Sequence, residues 1–70
     1  LRQLGRADEA LRAVADALVR GEDRFELHLA RGVILDGLDR VAEAEAALRE
    51  AVRRAPEDTD ANYNLALVLL

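Results

Sequence analysis

LGRADEALRAVADAL, residues 4–18, has a near copy in LDRVAEAEAALREAV, residues 38–52, at an offset of 34 residues. The likeness covers both halves of the chain when residues 1–36 are aligned with residues 35–70. The identical pairs fall on apolar helix faces and at turns: Leu1/Leu35, Leu4/Leu38, Arg6/Arg40, Glu9/Glu43, Ala10/Ala44, Ala13/Ala47, Ala17/Ala51, Arg20/Arg54 and Leu35/Leu69. A fixed period of this length indicates a repeat architecture, in which each repeat is one supersecondary unit stacked on the next.

Each copy has the apolar spacing of an amphipathic helix. In residues 7–20 and again in residues 40–54, apolar residues recur three and four positions apart, so one face of each helix is buried. The other face carries acid-to-base pairs four residues apart, including Glu45–Arg49 and Glu50–Arg54, each of which stabilises an isolated helix by about 0.2–0.5 kcal/mol. The copies are therefore predicted to pack by one face and to leave the other in water.

Two further segments are apolar around most of their circumference, residues 25–36 and the segment from about Asp60 to the end of the chain. A helix of that kind is packed between neighbours. The predicted order is therefore amphipathic, buried, amphipathic, buried, with short turns that favour antiparallel neighbours. Helices of this length are marginal alone, so they must pack on one another.

Turn residues separate the four predicted helices. Gly21, Gly37 and Pro56 interrupt the pattern, which excludes a continuous coiled coil. Asp39 and Thr59 stand just before the third and fourth helices. Each is expected to cap its helix by accepting a hydrogen bond from a free backbone N–H.

Composition excludes several classes of protein. The net charge is −4, and acids alternate with bases without forming the cationic stripe of a nucleic-acid-binding protein. The longest apolar run, residues 65–70, is too short to span a membrane. Cysteine is absent, which excludes disulfides and thiolate metal sites without indicating a compartment. Because the chain starts at Leu1 and ends inside the apolar run, we expect it to be a segment of a longer protein. Its high content of Ala, Arg and Leu is typical of a GC-rich bacterial genome.

No arrangement of residues predicts catalysis, a cofactor or a metal site. His28 is the only histidine and has no ligand or nucleophile near it in sequence, so a packing role is expected. Serine is absent, no glycine-rich phosphate loop occurs, and the carboxylates alternate with arginines on exposed faces. The chain is therefore predicted not to be an enzyme.

The period, the helix alternation and the small residues resemble the tetratricopeptide repeat family, whose two-helix repeat spans 34 residues. In the complete copy, the residues that match the family pattern are Gly32, Ala44, Ala51 and Pro56, while Leu35 takes the place of an aromatic Tyr and Leu48 stands in the Phe position. In the flanking partial copies they are Ala10, Val14, Ala17, Leu65, Ala66 and Leu69. The departures are His28 and Asn62 in place of Trp, Arg31 in place of Leu, and Glu22 in place of Pro.

The resemblance implies an all-α fold, a right-handed α-solenoid of antiparallel helix pairs. Its implied organisation is one domain over residues 1–70. Residues 1–24 would hold the second helix of a partial repeat, residues 25–58 a complete repeat, and residues 59–70 the first helix of a following repeat.

The resemblance also implies a protein–protein interaction scaffold that binds a peptide or partner protein in a concave groove lined by the first helix of each pair. The groove positions carried over are Glu26, Leu29, Ala30, Val33, Asp36, Asp60, Tyr63, Asn64, Leu67 and Leu70. Asn64 stands where family members often use an Asn to hold a peptide backbone, and it is expected either to do so or to be a solvated residue of the groove. Tyr63 is expected either to anchor a partner or to pack on a following helix. These positions hold no base, so a basic or amphipathic segment suits them better than a terminal carboxylate.

Two alternatives stay open. The chain could be a non-catalytic segment of a multidomain enzyme that positions a substrate or partner. It could also be a self-association module and form a homo-oligomer through its terminal helices, because Leu65, Val68 and Leu69 have no following repeat to cover them.

Overall fold

The computed structural model describes residues 2–70, with side chains from Gly5 onward. Its four helices are α1 Arg2–Val19, α2 Phe25–Gly37, α3 Val41–Arg54 and α4 Thr59–Leu69. No strand occurs within this part of the chain, and the predicted all-α class with four helices is confirmed. The expectation that α4 is buried between neighbours is wrong, because Ala61 is its only buried residue and Tyr63, Leu67 and Leu69 are exposed. Two members of the aligned pairs, Leu1 and the side chain of Leu4, lie outside the described residues.

Successive helices pack as neighbours. α2 contacts both α1 and α3, and α4 packs against α3 while also touching α2. The Cα atoms span 33 × 31 × 17 Å. α2 thus contacts all three other helices, and its position determines where the remaining faces of the molecule point.

The core lies mainly between α2 and α3. Its large, fully buried side chains are Leu35 of α2 and Leu48 of α3. Leu11 of α1 and Val68 of α4 pack against the core from the flanking helices. The small buried residues that complete it in α3 are Ala44, Ala47 and Ala51. The predicted buried stripe of the third helix comprised Val41, Ala44, Leu48, Ala51 and Val52. Ala44, Leu48 and Ala51 are buried as predicted, whereas Val52 is half-buried and Val41, the first residue of α3, is 47% exposed.

Gly32 sets how closely α2 approaches α3. A Cβ atom at this position would lie 2.5 Å from Leu48 Cγ and 3.3 Å from the Ala44 carbonyl oxygen. Leu48 is fully buried, and a close-packed interior leaves such a side chain little room to move. Glycine is therefore required where the two helices cross.

The turn between α2 and α3 is closed by Asp39, which has the left-handed φ of 61°. The N–H of Asp39 donates to the Asp36 carbonyl at 3.0 Å, and the N–H of Arg40 donates to the Leu35 carbonyl at 2.9 Å. This is the Schellman arrangement of a helix C-terminus. Gly21 occupies the corresponding left-handed position at the end of α1, with φ 86°. The expectation that Asp39 caps α3 is therefore wrong, because Asp39 ends α2 and its place before α3 is taken by Arg40, which makes no side-chain cap bond.

α4 is capped by Asp58. Its Oδ2 atom accepts a hydrogen bond from the Ala61 N–H at 2.8 Å, three residues further on, as an N-cap does. Thr59, which was expected to be the cap, is instead the first helical residue. An N-cap needs extended backbone angles, and Asp58 has them, with φ −74° and ψ 123°.

α1 begins earlier than the repeat predicts. The helix runs from Arg2, whereas the alignment with the second copy predicts a turn at Gly5 and a helix from Ala7. Between α2 and α3 the corresponding turn is held by carbonyls of the preceding helix.

We expect Gly32→Ala to destabilise the fold. The new methyl group would overlap Leu48. Overpacking costs about 1–3 kcal/mol and the gain in helix propensity is about 1 kcal/mol, so the net loss is up to about 2 kcal/mol. Thermal unfolding followed by circular dichroism should show a lower midpoint. Gly37→Ala is the matched control, because a Cβ there meets nothing within 4 Å, and equal midpoints for the two variants would contradict the tight crossing.

Asp39→Gly should stabilise the protein by about 1 kcal/mol. A left-handed conformation costs a residue with a Cβ about 1–2 kcal/mol, and the greater freedom of glycine in the unfolded chain offsets part of the gain. Asp39→Ala should be less stable than the parent, since Asp tolerates this conformation better than Ala does. The order of urea midpoints is then Gly, Asp, Ala from highest to lowest, and a lowest midpoint for Gly would disprove the left-handed turn.

Candidate partner-binding face

Two helices present the residues that the sequence assigned to a groove. On α2 these are Glu26, Leu29, Val33 and Asp36; on α4 they are Asp60, Tyr63, Asn64 and Leu67. We call these eight residues the groove face. Six of them are exposed, whereas Leu29 and Asn64 are half-buried.

The groove face follows from helical spacing. Successive residues on α2 are three or four positions apart, and on α4 the adjacent pair Tyr63 and Asn64 lies three or four positions from both Asp60 and Leu67, which places each set along one side of its helix. The buried residues lie on the other side of each helix, at Gly32 and Leu35 in α2 and at Ala61 in α4. The two helices that carry these residues, α2 and α4, touch each other.

The centre of the groove face is apolar and its charge is negative. Val33 on α2 and Tyr63 and Leu67 on α4 are 46%, 63% and 47% exposed, and exposed apolar area on a protein surface is where partners commonly bind when it is contiguous. The charged members of the face are the acids Glu26, Asp36 and Asp60, and no base is among the eight residues. The face therefore offers apolar contact surrounded by negative charge.

Asn64 is held in place by its own helix. Its Nδ2 atom donates to the Asp60 carbonyl at 2.8 Å. One amide N–H and the Oδ1 acceptor remain for other contacts. Its counterpart one repeat earlier, 34 residues back, is Ala30, so the amide occurs on one of the two stripes.

Tyr63 and Leu29 are counterparts in the repeat, but they differ in exposure. Leu29 is half-buried, on the helix that α4 touches, whereas Tyr63 is 63% exposed. Both expectations for Tyr63, a partner anchor and a contact for a following helix, require this exposed surface. Tyrosine offers large apolar area with a polar tip, as anchors at interfaces do.

A polar clasp joins the α1–α2 loop to the end of α3. Asp23 accepts from Arg54 Nη2 at 2.6 Å and is paired with His28 Nε2 at 3.0 Å, and Arg54 also contacts Glu50. The hydrogen bond from Arg54, followed by that from His28, lowers the pKa of Asp23 to about 2. The His28 side chain is 13% exposed, and the contact that holds it is this hydrogen bond with Asp23.

Sequence reasoning missed the clasp, although a signal existed. Its partners are 31 residues apart, beyond any pairing rule for a single helix. The repeat alignment, however, pairs Asp23 with Glu57 and Arg54 with Arg20. The same acid-and-arginine combination therefore occurs in both copies.

Asn62, the counterpart of His28, also ties its helix to the preceding loop. Its Nδ2 atom donates to the carbonyls of Pro56 at 2.9 Å and Asp58 at 2.8 Å. The two positions that depart from the family's Trp are thus both polar fasteners at the start of a first helix.

No group of three or more His, Asp or Glu side chains in residues 5–70 is placed to hold a metal ion. None of α1 to α4 is long and apolar enough to cross a membrane.

Paired helices, a core of small residues and an open face across the first helices together define a helical-repeat protein. A model of the tetratricopeptide repeat matches residues 1–58 and again residues 35–70, one period later, and the chain belongs to this family. Searches of curated proteins and of solved structures found no match. Tetratricopeptide repeats generally mediate protein–protein interactions and are typically non-catalytic scaffolds.

The clasp predicts a pH dependence. Because the folded state lowers the pKa of Asp23, its contribution to stability is complete above the ordinary value of 3.8 and is lost as the pH falls through about 2. Asp23→Asn should lower the thermal midpoint at neutral pH, and its difference from the parent should vanish at the acid end. Asp16→Asn, on the exposed side of α1, is the control. A difference that stays constant with pH would contradict the role of the carboxylate.

Proposed function

We propose that the groove face binds a segment of a partner protein whose surface combines apolar and basic side chains. The observation that carries this proposal is the grouping of exposed Val33, Tyr63 and Leu67 with three acids and no base. The proposed role is that of a scaffold and needs no catalytic residue.

Each part of the face contributes in a different way. The apolar centre supplies affinity, at about 25 cal/mol for each Å² removed from water. The acids contribute chiefly to association rate and partner choice, and their effect is weakened by salt. A terminal carboxylate would meet no base and would be repelled by Glu26, Asp36 and Asp60, so an internal segment is the better fit.

An amphipathic helix is the form of ligand that suits the face best. Its apolar stripe can lie along Val33 and Leu67, which are on neighbouring helices, while flanking lysines or arginines reach the acids. Recognition of this kind reads side chains spaced three, four and seven positions apart. The free N–H and Oδ1 of Asn64 can bond polar groups of the same ligand.

The proposal can be tested with two synthetic helical peptides that share a leucine stripe and differ in having lysine or glutamate on the polar side. Fluorescence anisotropy should show that the lysine peptide binds more tightly and that salt weakens it. Leu67→Gln should reduce its affinity about fivefold to tenfold, because loss of this half-exposed side chain removes about 1 kcal/mol or more of apolar contact.

Two matched variants make the test specific. Val19→Gln changes an apolar residue that is exposed at the end of α1 and outside the groove face, so it should leave affinity unchanged. Asp36→Asn should reduce the salt dependence, whereas Asp16→Asn should not. Equal affinity for the two peptides, or equal effects of the Leu67 and Val19 variants, would disprove the proposal.

A further inference from the structure

Four residues of the groove face form two pairs that are one repeat period apart. Glu26 and Asp60 are counterparts in the 34-residue repeat, and so are Val33 and Leu67. Each acid lies in the first turn of its helix, and each apolar residue lies seven positions further on. We call Glu26 and Asp60 the acid row and Val33 and Leu67 the apolar row. Each row therefore takes one residue from α2 and one from α4.

The helices α2 and α4 run in the same direction and end at the same level. Leu35, in the last turn of α2, and Ala44, in the first turn of α3, belong to one buried cluster, and Val68, in the last turn of α4, packs against it. Both helices are therefore antiparallel to α3 and parallel to each other. Because they also touch, the two members of each row are neighbours on helices whose axes are about 8–10 Å apart.

The exposure of the apolar row does not depend on which neighbour a helix has. α2 is followed by another first helix of the repeat, and α4 is preceded by one. Val33 and Leu67 are nevertheless 46% and 47% exposed. By contrast, Leu29 is half-buried and its counterpart Tyr63 is 63% exposed, so that position does respond to its neighbour and belongs to neither row. The apolar row thus points away from the direction in which repeats stack.

A helical ligand lying across α2 and α4 matches the spacing of the rows. Residues seven positions apart on a helix share one face and are about 10.5 Å apart along it, close to the distance between neighbouring helix axes. One heptad of the ligand therefore spans one repeat of this chain. The two rows are also about 10.5 Å apart along each helix, which is about the diameter of a helix with its side chains. A ligand helix between the rows thus faces acids along one edge and apolar residues along the other.

A ligand lying parallel to α2 and α4 fits less well. The two helices touch, so no open channel runs between them. On one helix alone, such a ligand would meet a single acid and, two turns later, a single apolar residue. Its basic residues would then be gathered at one end and its apolar residues at the other. The crosswise direction is the one in which a ligand contacts all four residues of the two rows.

We infer that the ligand of the groove face is a helix with a heptad pattern that lies across the first helices, each heptad supplying one basic residue to the acid row and one apolar residue to the apolar row. The inference rests on the proposed function and adds the direction and the period of the ligand. Glu26 and Asp60 are then specificity-determining positions, one for each heptad.

Two stapled helical peptides of equal composition, each two heptads long, test the pattern. In the heptad peptide both heptads carry lysine and leucine, whereas in the block peptide the lysines fill one heptad and the leucines the other. Fluorescence anisotropy should show the heptad peptide binding about fivefold more tightly, because the block peptide loses an apolar contact and an ion pair. Equal affinities, with lysine still preferred over glutamate, would overturn the heptad pattern and leave the proposed function standing. Loss of the lysine preference would overturn both.

A charge exchange assigns each acid to its heptad. Glu26→Lys should weaken binding of the heptad peptide, and changing lysine to glutamate in one of its heptads should restore it. Asp60→Lys should be restored by the same change in the other heptad. Asp36→Lys is the matched control, because the counterpart of Asp36 is Leu70 and neither heptad should restore it preferentially. Rescue of both row variants by the same heptad would overturn the crosswise direction.

Urea unfolding of the same variants separates binding from helix stability. An acid in the first turn also stabilises its own helix, so each variant may not be judged by affinity alone. A lower urea midpoint together with rescue by one heptad supports the inference. A lower midpoint without rescue by either heptad would assign Glu26 and Asp60 to their own helices and overturn it.

The direction of the ligand can be observed directly. A spin label on one end of the heptad peptide should broaden the amide signals of α2 in the nuclear magnetic resonance spectrum, and a label on the other end should broaden those of α4. The chain contains no cysteine, so a label carried on a peptide cysteine stays on the peptide. Labels that broaden both helices equally from either end would show a ligand parallel to α2 and would overturn the inference.

Discussion

The close approach of α2 to α3 at Gly32 is the constraint on which the rest of this structure depends. The missing side chain at this position allows Leu48 to lie against the α2 backbone, and this proximity buries Leu35 and Ala44 completely enough to form a core in 70 residues. A chain so short buries only about 60% of its unfolded surface. Small residues compensate by bringing helices close, where many weak contacts add up.

The same contact orients the surfaces that can act on other molecules. Once α2 buries Gly32 and Leu35, helical geometry sends Glu26 and Val33 to the opposite side. The clasp of Asp23 with Arg54 and His28 then fastens the N-terminal end of α2. A large aromatic side chain at position 28 would hold this end of α2 by packing, whereas His28 holds it by a hydrogen bond. The hydrogen bond explains how the fold accommodates a histidine at this position.

Sequence predicted the features that depend on periodicity and missed those that depend on backbone angles or distant pairing. The order of the helices, the burial of the alanines in α3 and the exposure of residues on one side of each helix all follow from the spacing of residues along the chain. Whether Asp39 ends one helix or starts the next depends on its φ of 61°, and composition alone does not specify it. Asp58 and Thr59 are both good caps by residue type, and the position of the first helical residue decided between them. The Asp23–Arg54 bond joins residues brought together only by packing.

The fold separates the face proposed for partner binding from the contacts that hold the helices together. In a solenoid each repeat contacts its neighbours, and the stacked repeats form extended concave surfaces that bind ligands. Gly32 and Leu35 of α2 are buried, whereas Glu26 and Val33 of the same helix are exposed. A substitution at an exposed position of the groove face therefore removes no core contact, so a change in ligand affinity would report on binding and not on folding. A ligand that binds only the folded chain would also raise its apparent stability.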